Sequence, residues 1–171
     1  ITELDTFDMV PFPNFVTVVH DIPRAQFKEI LENAVACTQD ADFDLNENCG
    51  SGRFAQISGF SFTWTASGTG LILDLDGNVI TPGTRIVDVT LDDGTPIVVG
   101  GVVQDGPAIN IATIDFLARS GDQYPYRGAD FTPLGASYQQ ALANYIVNPL
   151  AGLITAADYP EGGEGRITEL P

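Results

Sequence analysis

The chain has 171 residues, 44% apolar and 18% charged, enough for one domain with a proper core and too apolar for a disordered chain. Twenty-three acidic residues against seven basic ones leave a net charge of −16, which repels a polyphosphate backbone and argues against nucleic-acid binding. No apolar run approaches the ~20 residues that span a bilayer, so no membrane span is expected.

The first residues, "ITELDTFDMV", show neither an initiator methionine nor a signal-peptide pattern, as expected of a chain processed or cut from something longer. Next, "NFVTVVHDI" (Asn14–Ile22) is β-branched and nearly all apolar, which predicts a strand buried on both faces. His20, the sole histidine, sits inside that pattern and reads as structural rather than as a catalytic base. "DIPRAQFKEILENAVAC" follows, with Phe27, Ile30, Leu31, Ala34 and Val35 at helical spacing. Pro23 suits the first turn of that helix, with Asp21 close to its cap.

Cys37 and Cys49 are the only cysteines and bracket the polar loop "TQDADFDLNEN". They could be two unrelated thiols. A disulfide is favoured, because the pair closes one local loop and no third cysteine competes. Such a loop gains about 3 kcal/mol in the chain-entropy model. A stable disulfide implies an oxidising compartment, extracellular or periplasmic. The same loop sets Asp40, Asp42 and Asp44 at alternate positions, as a hard cation would need. The sharp-turn glycine and closing glutamate of an EF-hand loop are missing, so a solvated acidic loop ranks above calcium. "DLDGN", with Asp74 and Asp76, is a shorter candidate that a β-turn explains equally well.

"GSG" (Gly50–Gly52) reads as a turn. In "ISGFSFTWTA", Phe60, Phe62 and Trp64 share one face, which predicts a half-buried strand. "TRIVDVTLDDGTPIVVGG" reads as strand, Asp-Gly turn, strand, and "PAINIATIDFL" as a further strand. The latter runs into "ARSGDQYPY", which is either a plain turn or the edge of a pocket. "SYQQALANYIV" carries Tyr138, Leu142, Tyr145 and Ile146 on one helical stripe, stopped near Pro149. The tail is loop with a short strand at "GRITEL". These elements predict an α+β fold with mixed or antiparallel sheets and two or three packed helices, as one domain over residues 1–171.

No self-contained catalytic set is present. There is no Gly-x-Ser-x-Gly elbow and no phosphate-cradling Gly-rich Lys motif. Two cysteines and one histidine cannot build a tetrahedral zinc site without carboxylates.

The order of several phrases carries more information than any one of them. "VPFPN" precedes the first strand and helix; "GRFAQISGFSFTW", "GTRIVDVTLDDGTPI", "IATIDFLARSGDQYP" and "GEGRI" follow in turn. This arrangement resembles the C-terminal domain of the 5′-nucleotidase family, which includes UDP-sugar hydrolases. The likeness runs from about Phe7 to Ile167. It implies a substrate-binding domain whose parent carries two divalent metals and the catalytic residues in a separate N-terminal domain. This chain would then be the substrate domain, truncated on its N-terminal side and inactive alone, with that N-terminal domain as partner and a small nucleoside or nucleotide as ligand. The resemblance also implies site residues. Phe12 and Phe116 would sandwich the base, and Asp122 would accept ribose hydroxyls. Pro13, Ser120 and Gln123 depart from the family pattern, each standing where a glycine is usual. None of the arginines falls on the family's phosphate-contacting loop, which would precede Ile1. Two alternatives are a non-catalytic binding or structural module of a larger extracellular protein, and the same domain serving a related cyclic-nucleotide phosphodiesterase, UDP-sugar hydrolase or thiosulfate-ester hydrolase.

Overall fold

The computed structural model describes residues 1–38 and 50–171. Helix α1 (Glu3–Met9) opens with a capping box: Asp5 N–H donates to the Thr2 hydroxyl, and Thr2 N–H to the Asp5 carboxylate. Strand β1 (Phe15–Ile22) leads into helix α2 (Arg24–Ala34). Strands β2 (Phe60–Thr65), β3 (Ile72–Leu73), β4 (Val79–Thr81), β5 (Ile86–Leu91), β6 (Pro96–Val99), β7 (Val102–Val103) and β8 (Ile109–Ile114) follow. A single helical turn, α3 (Asp115–Ala118), leads to β9 (Phe131–Ser137), α4 (Tyr138–Val147) and β10 (Ile167–Leu170).

Three sheets result, so the α+β expectation holds. One has the order β8-β1-β9, antiparallel throughout. The second has the order β10-β2-β5-β6-β7, with β10 parallel to β2 and the rest antiparallel. The third is the β3–β4 hairpin. The main core joins β1, α2, β2, β5 and β6 through Val19, Phe27, Leu31, Trp64, Val89 and Ile97. Glu32 is buried in this region because its carboxylate accepts from the Arg85 and Ile86 amides at 2.9 and 3.1 Å and pairs with Lys28. A buried carboxylate with that many donors is satisfied rather than stranded.

Four details differ from the expectation. Strand β1 buries alternate residues, Thr17 and Val19, rather than both faces, because it is the middle of a sheet packed on one side. Pro23, not Asp21, is the N-cap of α2; Asp21 instead takes a positive φ of 52° at the bulge ending β1. The strand expected through "IDFL" stops at Ile114, and Asp115–Ala118 turns helical. On α4 the buried residue is Gln139, whose amide donates to Thr6 Oγ1 at 2.7 Å, while Tyr145 of the expected apolar stripe is exposed.

The Asp-Gly hairpin forms as expected between β5 and β6, with Gly94 N–H donating to Leu91 O at φ +86°. His20 Nε2 lies 2.9 Å from the Thr132 hydroxyl across the β1–β9 pair. Cys37 is buried beside Leu71 and Leu73. Its expected partner Cys49 and the calcium candidates Asp40, Asp42 and Asp44 lie outside the described residues. Asp74 spends both carboxylate oxygens on its own turn, accepting from the Asp76 and Asn78 amides and the Asn78 side chain. Those bonds to the charged form hold its pKa below the usual carboxylate range. Among the described residues no three His, Cys, Asp or Glu side chains gather to hold a metal ion. No described helix is long and apolar enough to cross a membrane.

Candidate functional site

Phe12 stands on the loop between α1 and β1. Asn14 N–H donates to Phe12 O at 2.9 Å, closing a three-residue turn about Pro13. The ring of proline fixes φ near −65°, close to what an inverse γ-turn requires, so Pro13 stiffens this loop as expected. The Phe12 side chain is 66% exposed, far from a core aromatic.

Phe116 is the second residue of α3 and is 45% exposed. Beneath it lies Gly121. A Cβ at that position would stand 2.5 Å from Phe116 Cε1, so only glycine lets the backbone lie against the ring. The turn that carries Gly121 is strained. Ser120, Asp122 and Gln123 take φ of 68°, 49° and 56°, in the left-handed region that glycine adopts without cost. The backbone therefore keeps a glycine-type path at Ser120 and Gln123, although both glycines are gone. Left-handed residues outside glycine tend to cluster at functional loops.

Phe12, Phe116 and Asp122 all line one cavity of about 950 Å³. Ligand pockets usually span roughly 300–1,000 Å³. Phe12 and Phe116 are 104 positions apart in sequence (116 − 12), and the fold brings them to one cavity because β1 and β8 are paired neighbours. Asp122 is solvent-exposed, and among the described residues it is the only carboxylate on the cavity wall.

The phrase "GRFAQISG" supplies a further stretch of wall, from Gly52 through Gly59. Sequence reasoning used that phrase only for its order and assigned none of its residues to the site. It also missed Asn14, Asn110 and Tyr138, which line the cavity too. Residue type alone gave no signal for them, since amides and tyrosines are common on ordinary surfaces.

Behind the Asp122 loop a buried polar chain fixes its height. Asn33 of α2 donates its side-chain N–H to Asp122 O at 3.2 Å and accepts from Arg53 Nη1 at 3.1 Å. The Tyr124 hydroxyl donates to Arg53 O at 2.6 Å. Burial lowers the Arg53 pKa, opposed by the charges of Asp122 and Tyr124. Burial raises the Tyr124 pKa, helped by Tyr126 and Asp122, and pushes Tyr126 up to about 12. The two tyrosine rings stack at 6.3 Å.

The electrostatics of the site follow from where the basic residues go. All seven lie among the described residues, and all are engaged. Arg24 donates to the carbonyls of Pro96, Gln104, Asp105 and Pro107. Arg85 donates to those of Gly68, Val35 and Ala36. Arg53 serves Asn33, Lys28 serves Glu32, and Arg127 and Arg166 pair with Glu29 and Glu164. Arg119 lies over the Phe131 ring at 4.9 Å. The cavity thus offers aromatic faces, amides and one carboxylate, with Arg53 as the only basic residue on its wall among the described residues.

The model of the 5′-nucleotidase C-terminal domain matches residues 1–128. No curated protein matches the chain. Among solved structures, the 5′-nucleotidase precursor from Thermus thermophilus superposes with a TM-score of 0.70 at 21% identity, over 99% of this chain and 28% of that one. The NAD nucleotidase of Haemophilus influenzae superposes with a TM-score of 0.65 at 14% identity, over 100% of this chain and 27% of that one. At such identities the likeness establishes the fold. The chain spans less than a third of either protein's length.

Proposed function

The chain belongs to the 5′-nucleotidase C-terminal domain family, and from that premise we propose that its cavity binds a nucleoside moiety as the substrate-binding part of a secreted 5′-nucleotidase-like phosphoesterase. The observation that carries the reading is the convergence of two exposed phenylalanines and one exposed carboxylate on a single cavity. A base stacks on an aromatic face whatever its hydrogen-bond pattern, for ~1–3 kcal/mol. A carboxylate at the rim accepts from two vicinal hydroxyls in charge-assisted bonds. Phe12 and Phe116 would supply the faces, and Asp122 the acceptor.

Hydrolysis belongs to the parent protein in this reading. In the family's chemistry two divalent metals activate the attacking water. In this reading this chain contributes binding and orientation. The Cys37–Cys49 disulfide and an extracellular or periplasmic location complete the proposal. A binding module without hydrolytic partner is the second reading. One observation favours it: every basic side chain is committed elsewhere, which leaves little to meet a phosphate.

Calorimetric titration of the purified chain with adenosine and uridine tests nucleoside binding. Uptake of either supports it, and no heat with both overturns it. Adenosine is expected to bind at least as tightly as its 5′-monophosphate, because Asp122 repels the phosphate and no basic residue is uncommitted. The pure chain is expected to hydrolyse no phosphate ester; metal-dependent turnover would overturn the division of labour.

A further inference from the structure

We infer that Asp115 and Tyr138 are positioning residues that set the spacing of the Phe12 and Phe116 rings, an inference that rests on the nucleoside reading for its consequence but not for its geometry. The β1–β8 ladder ends at the pair Val16↔Ile114. One step further the chain leaves β8 for α3, and the backbone ladder with β1 ends. The Asp115 carboxylate takes over: its Oδ1 accepts the Phe15 N–H at 2.8 Å. The residue immediately before Phe116 thereby ties down the strand three residues after Phe12.

The opposite edge of the same segment is held by α4. Phe15 pairs with Ser137, and the register then shifts before Thr17. The next residue, Tyr138, donates its N–H to Asn14 O at 3.0 Å, and its hydroxyl accepts the Phe12 N–H at 3.4 Å. Tyr138 also lines the cavity and lies beyond the residues matched to the family. The Phe12 arm is therefore fastened from both sides, and one fastening is adjacent in sequence to Phe116. The two are unequal. A 2.8 Å bond to a carboxylate is charge-assisted, whereas 3.4 Å exceeds the usual range for an N–H donor. Asp115 should matter more than Tyr138.

An acid at the first position of a helix also complements the helix dipole. Asparagine separates the two roles, since it keeps the acceptor and drops the charge. The experiment is NMR on the full chain and its variants Asp115→Ala, Asp115→Asn and Tyr138→Phe. It follows amide exchange, the ring resonances of Phe12 and Phe116, and adenosine titration. In Asp115→Ala the Phe15 amide is expected to exchange about tenfold faster or more, the value of one charged hydrogen bond. The Val18 and Val19 amides should hold, both ring resonances should shift, and adenosine affinity should fall by a similar factor. Asp115→Asn should restore these in part, since it keeps a neutral acceptor at the same place. Tyr138→Phe should move the Phe12 signals and weaken adenosine by a smaller factor. Unchanged Phe15 exchange or unmoved rings in Asp115→Ala, or failure of Asp115→Asn to rescue, would overturn the inference. If Asp115→Ala does not fold, Tyr138→Phe decides, and unmoved Phe12 signals would overturn it. A wild-type chain that takes up no adenosine contradicts the nucleoside reading alone, because the exchange and ring signals still decide this one.

Discussion

Ser120 and Gln123 hold left-handed backbone with side chains that pay for it, whereas glycine would sit there without strain. Among the described residues, four of the six non-glycine residues with positive φ fall between Ser120 and Arg127, so strain is concentrated beside Asp122. Replacing Ser120 or Gln123 by glycine relieves a left-handed cost of ~1–2 kcal/mol and adds back unfolded-state entropy. Each change is expected to raise stability by about 0.5–1 kcal/mol in urea unfolding; a loss of stability would show that the side chains earn their place. The family phrases made these positions legible, because they mark where glycines belong. The φ values themselves were not legible, since serine and glutamine give no local sign of left-handed geometry.

Helix α4 shows what periodicity can and cannot reveal. Its existence was readable from "SYQQALANYIV", and Ser137 caps it by accepting from Gln140 N–H. Its packed face was readable in part: Tyr138, Leu142 and Ile146 are half-buried, but Tyr145 is exposed and Gln139 is the buried residue. Gln139 reaches Thr6 across 133 residues, a pairing that only the tertiary fold creates. Gln139→Ala should cost about 1–3 kcal/mol by leaving a buried polar contact unmade, read as a lower urea midpoint; an unchanged midpoint would mean water replaces it freely. Helix α1 and strand β9 escaped the sequence reading for related reasons. "TELDTFDM" is short and carries few apolar positions, and "FTPLGAS" interrupts a strand pattern with proline and glycine. The turn at Asp115 was missed because a β-rich run continues straight into it; only the tether to Phe15 shows why the strand stops there.

At the scale of the whole molecule, the net charge of −16 hides a division of roles. Arg24, Arg53 and Arg85 are buried and bonded to acceptors within the fold, Arg119 and Arg127 are exposed but engaged, and most of the described acids face solvent. Burial also sets a pH limit. The Tyr126 pKa lies at about 12 against an ordinary 10.0, and that of Tyr124 is raised as well. The neutral hydroxyls are the favoured form in the folded state. Their stabilisation is therefore complete below pH 10 and is lost as pH rises through about 12. Thermal melts with phenolate absorbance should show unfolding and tyrosine ionisation coinciding in that alkaline window. Ionisation of Tyr124 or Tyr126 at the ordinary value, identified by loss of that signal in Tyr124→Phe and Tyr126→Phe, without loss of the fold would contradict the burial.

The ring clamp remains the claim on which the rest depends, and calorimetry of adenosine with the wild-type chain, Phe12→Ala and Phe116→Ala tests it most directly. Each ring should be worth ~1–3 kcal/mol, roughly 5- to 150-fold in affinity. The account predicts binding to the wild-type chain that both variants weaken by at least about fivefold while their melting temperatures change little, as exposed rings allow. Wild-type binding that survives the loss of either ring would contradict it.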